Sequence, residues 1–251
     1  MKYLKKFLTE TEYNTYTADT TNFIKPNVSL ITESNSVAYH PYDPYNGHAY
    51  VEIGGLKWAT MNVGATGITD AGLYFQWGDT QGYTASQVGS GEGQKGFRWK
   101  DYKFGDYTSS SGMTKYTPND GKSVLELSDD AARVNWGGEW RVPTNEEIVA
   151  FGNAVDAEWN ASYQGSGVAG LVCTDKNDSS KVLFFPAGGN CKSDKRTAFN
   201  SYGYYWSGSL NIEYNPNYGQ ADNFNFRSGR ANWGNNASSR DSGYSIRPVA
   251  Y

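Results

Sequence analysis

Apolar and polar residues alternate in short runs along most of this chain. Ala49-Tyr50-Val51-Glu52-Ile53 alternates, Gly54-Gly55 interrupts, and Leu56-Lys57-Trp58-Ala59 alternates again. A glycine pair between two runs of period two predicts a β-hairpin. Further strands are predicted at Gly170-Leu171-Val172-Cys173, Val182-Leu183-Phe184-Phe185, Tyr204-Tyr205-Trp206-Ser207 and Asn223-Phe224-Asn225-Phe226, with a final one at Tyr244-Ser245-Ile246-Arg247. Helical signals are confined to two places. Ser128 is placed to cap one helix, with Asp129 and Asp130 in its first turn, where carboxylates meet the positive end of the dipole; Gly137-Gly138 ends it. Thr144 caps a second helix, and Glu147 completes a capping box ahead of Ile148, Val149 and Phe151.

Residues 1 to about 38 are polar and rich in Thr and Asn, with one short strand predicted at Val28-Ser29-Leu30-Ile31. His40-Pro41-Tyr42-Asp43-Pro44-Tyr45-Asn46-Gly47-His48 is a turn-rich connector, which places a domain boundary near residue 47. Between Leu73 and Tyr116 the glycines, serines and aromatics predict long loops. No solenoid repeat or heptad is found. Two helices followed by several short strands and long loops predict an α+β fold.

Composition narrows the function. The net charge of −4 lacks the clustered basic residues of a nucleic-acid footprint. Aromatic residues reach 16% and charged residues only 19%, so core and surface both lean on rings. The N-terminus is basic but has no apolar run of signal-peptide length. Nor does any stretch approach the roughly 20 apolar residues of a membrane span, so cytoplasmic synthesis without membrane insertion is expected. Four Asn-X-Ser matches, at Asn27, Asn160, Asn177 and Asn236, are read as chance without evidence of secretion.

Much familiar chemistry is missing. His40 and His48 are the only histidines, both in the connector, which argues against Ser-His-Asp and Cys-His sites. Gly91-Glu92-Gly93-Gln94-Lys95-Gly96 contains a GxGxxG string but neither follows a clear strand nor opens a helix, so it reads as a loop. Asp70, Asp79, Asp101 and Asp106 are read as solvated loop acids, and no metal or cofactor is expected. Glu146 and Glu147 need only the helix N-terminus to explain them. Cys173 and Cys191, the only cysteines, leave a disulfide and a reduced pair both open.

The richest segment runs from Tyr204 to Ser238. Asn211, Asn215, Asn217, Asn223, Asn225, Asn232, Asn235 and Asn236 are interleaved there with Tyr204, Tyr205, Tyr214, Tyr218, Arg227, Arg230 and Trp233, and lysine is absent. This is the vocabulary of adaptable binding surfaces. Alternation sets Asn223 and Asn225 outward and Phe224 and Phe226 inward. Among the tryptophans, most of which are assigned to the core, Trp233 is set apart as a surface residue by its small polar neighbours. The candidate ligand-binding set is Asn211, Tyr214, Asn215, Asn217, Tyr218, Asn223, Asn225, Arg227, Arg230, Asn232, Trp233, Asn235 and Asn236, with Tyr and Arg as anchors and Asn as adaptable contacts.

Six ordered motifs carry a family resemblance. They are Ile53-Gly54-Gly55-Leu56-Lys57-Trp58-Ala59-Thr60-Met61-Asn62-Val63-Gly64-Ala65, Tyr74-Phe75-Gln76-Trp77-Gly78-Asp79, the stretch from Leu125 to Thr144, Leu183-Phe184-Phe185-Pro186-Ala187-Gly188-Gly189, Tyr204-Tyr205-Trp206-Ser207 and Tyr244-Ser245-Ile246-Arg247-Pro248-Val249. Over residues 49 to 251 the chain resembles the Fibrobacter major-paralogous-type domains of gut and rumen bacteria. The resemblance implies a C-type lectin-like fold of the formylglycine-generating-enzyme type over residues 48–251. Strands near its two ends would pair, Tyr50-Val51-Glu52-Ile53 with Ser245-Ile246-Arg247, around a core of Trp58, Trp77, Trp140, Phe184 and Trp206.

That fold is also used by variable proteins of diversity-generating retroelements, in which error-prone copying replaces adenines near the 3′ end of a gene. Asn codons altered at their adenines yield Tyr, Asp, Ser, Gly, Arg and His but never Lys, Glu, Gln, Met or Trp. Residues 204–242 fit that imprint, with Glu213, Gln220 and Trp233 as fixed scaffold. The resemblance then implies a binding protein rather than an enzyme, such as a phage tail adhesin that recognises a host-surface protein or glycan. Residues 1–47 would attach it to another virion protein or make it a homotrimer. A non-diversified bacterial surface or carbohydrate-binding module of the same fold is the alternative. A formylglycine-generating enzyme ranks last, because Cys173 and Cys191 match no motif of that chemistry.

Overall fold

The computed structural model describes residues 45–105, 112–117, 119–212 and 219–251. The expected strand at Val28–Ile31, the attachment role of residues 1–47 up to Pro44, Asp106, and the candidate site residues Tyr214, Asn215, Asn217 and Tyr218 lie outside them. The fold is α+β, with two α-helices and several short antiparallel sheets among the described residues. No helix among the described residues is long and apolar enough to cross a membrane.

The predicted hairpin forms as β1 (Tyr50–Ile53) and β2 (Leu56–Ala59), with Val51 opposite Trp58. Gly54 and Gly55 sit at φ +62° and +82°, the pair of positive values that a two-residue turn of this hand requires. The predicted helices become α1 (Ala131–Trp136) and α2 (Asn145–Ala154). For α2 the capping box is as expected: the Thr144 hydroxyl accepts from the Glu147 amide, and Glu147 accepts from the Thr144 amide at 2.8 Å. Glu147 also takes Arg141 in a two-pronged ion pair.

The cap of α1 differs from expectation. Asp130, not Ser128, accepts from the Arg133 amide at 2.9 Å, and its second oxygen accepts from Val142. The reason is tertiary. Asp129 is drawn out of the helix by Lys103, Lys115 and the Tyr116 hydroxyl, so Leu127–Asp129 forms a separate 3-10 turn. Gly137, at φ +69°, ends α1 as predicted.

After α2 the chain runs directly into β3 (Val155–Asn160), which pairs with β4 (Gly170–Asp175), itself paired with β5 (Val182–Pro186). A small ribbon, β6 (Asn190–Lys192) with β7 (Lys195–Thr197), leads to the principal sheet. That sheet holds β8 (Tyr202–Leu210), β9 (Gln220–Arg227) and β10 (Arg230–Ser239), with β9 in the middle.

The chain ends in β11 (Val249–Ala250), which is antiparallel to β2, with Val249 opposite Trp58. The expected partnership of residues 245–247 with β1 is therefore replaced by one of residues 249–250 with β2. Ser245 is already engaged by Tyr204 and Trp206, and Arg247 is turned inward. Pro248 has no N–H to donate, so a regular ladder begins only after it.

Two aromatic clusters fill the interior. One gathers Trp58, Phe151, Phe185, Tyr205, Phe224 and Phe226; the other gathers Phe75, Trp77, Tyr102, Tyr116, Trp206 and Tyr244. Tyr205 and Trp206 are consecutive on β8 and point to opposite sides, so this strand divides the two. Trp58, Trp77, Trp140, Phe184 and Trp206, the expected core, are all buried. His48 stacks on Trp136 at 3.6 Å, and burial lowers its pKa. Cys173 and Cys191 are both free and buried, and belong to different clusters.

Burying so many hydroxylated rings makes the fold sensitive to alkali. Burial pushes Tyr74, Tyr116 and Tyr244 up to about 12 and raises Tyr102 and Tyr205 as well. Unfolded phenols ionise near pH 10, so above that the folded chain holds more protons, and its stability falls as pH rises from about 10 through about 12. The Cys191 thiol, also pushed up to about 12 by burial, starts the decline near pH 9. Arg247, lowered to about 10 by burial, and Arg240, also lowered by burial, oppose this at high pH, but they are outnumbered by the raised phenols. Urea midpoints should hold steady up to about pH 9 and drop steeply between about pH 10 and 12. A flat profile across that interval would mean that the rings are not sealed from solvent.

Candidate functional site

Strand register sorts the Asn- and Tyr-rich segment into three rows on the outer face of the principal sheet. Tyr202, Arg227 and Arg230 face one another across β8, β9 and β10; so do Tyr204, Asn225 and Asn232; so do Trp206, Asn223 and Asn236. The intervening residues Tyr205, Phe224 and Phe226 point into the core, as the alternation predicted. Burial deepens along the rows. Arg227 and Arg230 are exposed, Asn225 and Asn232 half-buried, and Trp206 and Asn223 buried.

Asn223 was expected at the surface. It is 0% exposed, and its amide nitrogen donates to the Asn236 carbonyl and to Ser238 Oγ. An amide shut away with its hydrogen bonds made is a structural element. Asn211 is also buried and donates to Asp222 at 2.6 Å, away from these rows. Trp233, expected as a surface platform, packs inward. It stacks on Phe224 at 4.3 Å and meets Phe151 edge-on at 5.7 Å. It also closes over Gly152, where an added Cβ would come within 2.3 Å of the indole.

What turns Trp233 inward is a bulge. Between Asn232 and Asn236 the register of β10 slips against β9. Gly234 and Asn235 adopt φ +74° and +53°. Asn145, the first residue of α2, locks the bulge by accepting from the Asn235 amide at 2.8 Å and donating to its side-chain oxygen at 2.7 Å. Asn235 and Asn236 therefore hold the bulge: Asn236 donates to the Gly234 carbonyl at 2.7 Å. The sheet brings together Asn225, Arg227, Arg230 and Asn232 from the predicted set, and adds Tyr202 and Tyr204.

These side chains are linked in one direction. Arg230 Nε donates to Asn232 Oδ1 at 2.9 Å, Asn232 Nδ2 to Asn225 Oδ1 at 2.8 Å, and Asn225 Nδ2 to Asn223 Oδ1 at 2.9 Å. A guanidinium can only donate, so Asn232 must turn its oxygen towards Arg230 and its nitrogen towards Asn225. The constraint passes down the line. At the far end Asn223 meets a backbone carbonyl, which can only accept, so both ends impose the same orientation. Beside this relay runs an aromatic ladder. Tyr202 stacks on Tyr204 at 5.9 Å, Tyr204 on Tyr244 at 5.0 Å, and Tyr244 on Trp206 at 4.2 Å. Relay and ladder meet at Ser238, whose hydroxyl accepts from Asn223 and from Tyr244.

At the exposed end, the β9–β10 turn of Arg227, Ser228, Gly229 and Arg230 stands between two hollows. One, of about 300 Å³, is lined by Tyr202, Asn225, Phe226, Arg227, Arg230 and Asn232. The other, of about 220 Å³, lies towards Ala157, Trp159 and Leu171. Neither lining contains an acidic residue. Among the described residues no group of histidine, cysteine or carboxylate side chains could hold a metal ion. Sequence reasoning left Tyr202 out, although Tyr202-Gly203-Tyr204 continues the alternation of the strand predicted from Tyr204. Comparison with family models, with curated proteins and with solved structures gave no match.

The rows make separable predictions for stability. Asn223→Ala strands a buried carbonyl and should cost about 1–3 kcal/mol. Trp233→Ala, half-buried against two rings, should cost about 2–3 kcal/mol. Asn232→Ala, near the rim, should stay within about 0.5 kcal/mol. Urea unfolding of the three variants checks this order. A neutral Asn223→Ala or a costly Asn232→Ala would remove the distinction between buried base and open rim.

Proposed function

We propose that this chain is a ligand-binding protein that uses the rim of the β8–β9–β10 face, carried on a C-type lectin-like scaffold. We propose further that a retroelement diversifies the exposed positions, and that the protein acts as a phage tail adhesin for host-surface molecules, attached through residues 1–47. The observation that carries the reading is the segregation within one sheet. Asn225, Arg227, Arg230 and Asn232 lie on the outer side, while Phe224, Phe226 and Trp233 pack into the core directly behind them. Outer residues of this kind can change without loss of the fold. The meeting of β2 and β11, and the burial of the motif residues Trp58, Trp77, Trp140 and Trp206, support the lectin-like assignment.

One observation favours the second reading, a non-diversified carbohydrate-binding module. In the relay each amide's orientation depends on the next, which suits a constellation kept intact. Flanking DNA decides between the two. Diversification requires a template repeat that matches codons 204–251 and differs mainly at adenines. Its altered positions should include codons 225, 227, 230 and 232 and spare Phe224, Phe226 and Trp233. Sibling genes that vary equally at the phenylalanines would end the diversification proposal, while invariance at all four rim codons would favour the fixed module. For either reading, Arg227→Ala combined with Arg230→Ala, both at exposed positions, should abolish attachment to host cells at an unchanged melting temperature. Full attachment by the folded double variant would remove this face as the site.

A further inference from the structure

The hollow between Tyr202 and Arg230 has a one-sided hydrogen-bonding character. Arg227 and Arg230 can only donate. Asn232 and Asn225 each already use Oδ1 as an acceptor within the relay, and each has one amide N–H left over. The lining therefore offers donors almost exclusively, and an occupant must be rich in acceptors.

Charge adds to this. Although the chain is acidic overall, at −4, both charged residues of this lining are arginines. No carboxylate pairs with either among the described residues, whereas Arg98 and Arg141 both have acidic partners. Asp156 and Glu158, the acids of β3, alternate to the side opposite Ala157 and Trp159, which face the smaller hollow. Both guanidiniums are held in place. Arg227 lies 5.9 Å from the Tyr202 ring centre, and Arg230 is tethered through Nε, so its two terminal nitrogens can form a fork to a carboxylate.

Size and wall chemistry complete the assignment. About 300 Å³ lies at the small end of ligand sites and suits a single ring rather than a stretch of peptide. Tyr202, the aromatic residue of this lining that stands on the outer face, offers an apolar wall for the C–H face of such a ring. Resting on the reading of this face as a binding site, the geometry points to a carboxylate-bearing sugar as its ligand, with the carboxylate on Arg230 and Arg227 and the ring hydroxyls on the remaining amide N–H groups of Asn225 and Asn232.

The test titrates the full chain with three probes, a disaccharide ending in glucuronate, the same disaccharide ending in glucose, and N-acetyl-aspartate. Calorimetry gives affinities, and side-chain amide and guanidinium NMR signals give location. The glucuronate probe should bind at least about tenfold tighter than either control and weaken as salt is raised. It should shift the Arg230 Nε and Asn232 amide signals. Arg230→Ala and Arg230→Lys should each lose about tenfold or more, because lysine keeps the charge but not the fork. Lys195→Ala, an exposed residue on β7, should change nothing.

Equal binding of the glucose probe would overturn the acidic assignment and leave the face as a binding site. Equal binding of N-acetyl-aspartate would overturn the sugar. No binding of the glucuronate probe would overturn the ligand class while leaving attachment to host cells as the separate measure of the site. Shifts confined to residues away from β8–β10 would overturn both.

Discussion

The guanidinium of Arg247 is the constraint on which the fold turns. It is 1% exposed and has no carboxylate partner among the described residues. Its charge is met instead by the carbonyls of Ala59, Thr60 and Phe184 and by Asn62 Oδ1, with the Phe185 ring 4.5 Å away. A charge in such a place is tolerable only when every donor is satisfied. Meeting that demand ties the end of the chain to β2 and to β5. Asn62 extends the tie: it donates to the Tyr205 hydroxyl, which donates to the Pro186 carbonyl. Tyr205 lies on the inner side of β8, directly beneath the outer face of the principal sheet.

A second buried guanidinium holds the other end of the same segment. Arg240 follows immediately after β10, and Trp77, Tyr102, Phe104 and Tyr116 enclose it within 4.8–5.9 Å. It donates to the Tyr102 hydroxyl and to the carbonyls of Tyr116 and Lys115. Residues 240 to 247 are thus pinned at both ends, and Tyr244, the third ring of the aromatic ladder, lies between the pins. Rigidity at the base of the face comes from buried residues behind it, the arrangement a pre-organised site needs.

The parts of this arrangement that were legible in the sequence are those with local causes. The Gly54-Gly55 turn, the Thr144–Glu147 box and the inward phenylalanines of β9 each rest on residues within a few positions of one another. What was not legible depends on distant partners. Asp130 replaced Ser128 as a cap because Lys103 and Lys115 claimed Asp129. Asn223 was assigned outward by alternation, correctly in direction, but the strand beside it supplied Asn236 and Ser238 to bury it. The whole of β10 was missed, since Arg230-Ala231-Asn232-Trp233-Gly234-Asn235-Asn236 has little β propensity. Only the bulge anchored on Asn145 reveals that its tryptophan faces the core. Of the candidate site, composition marked out a segment, while the register showed which of its residues share a surface.

The relay from Arg230 to Asn223 also bears on inheritance. Because donor and acceptor alternate along it, the identity tolerated at one position depends on what occupies the next. An aspartate at 225 can accept from Asn232 but has nothing to give Asn223, and a serine at 232 is too short to span the same gap. The fitness of a change at any of these sites is therefore conditional on the others. Combinations of residues that retain the alternation form a small, connected fraction of the sequences that independent substitution would generate. A population exploring this face would move through paired replacements, and covariation among 223, 225, 230 and 232 would be the trace it leaves.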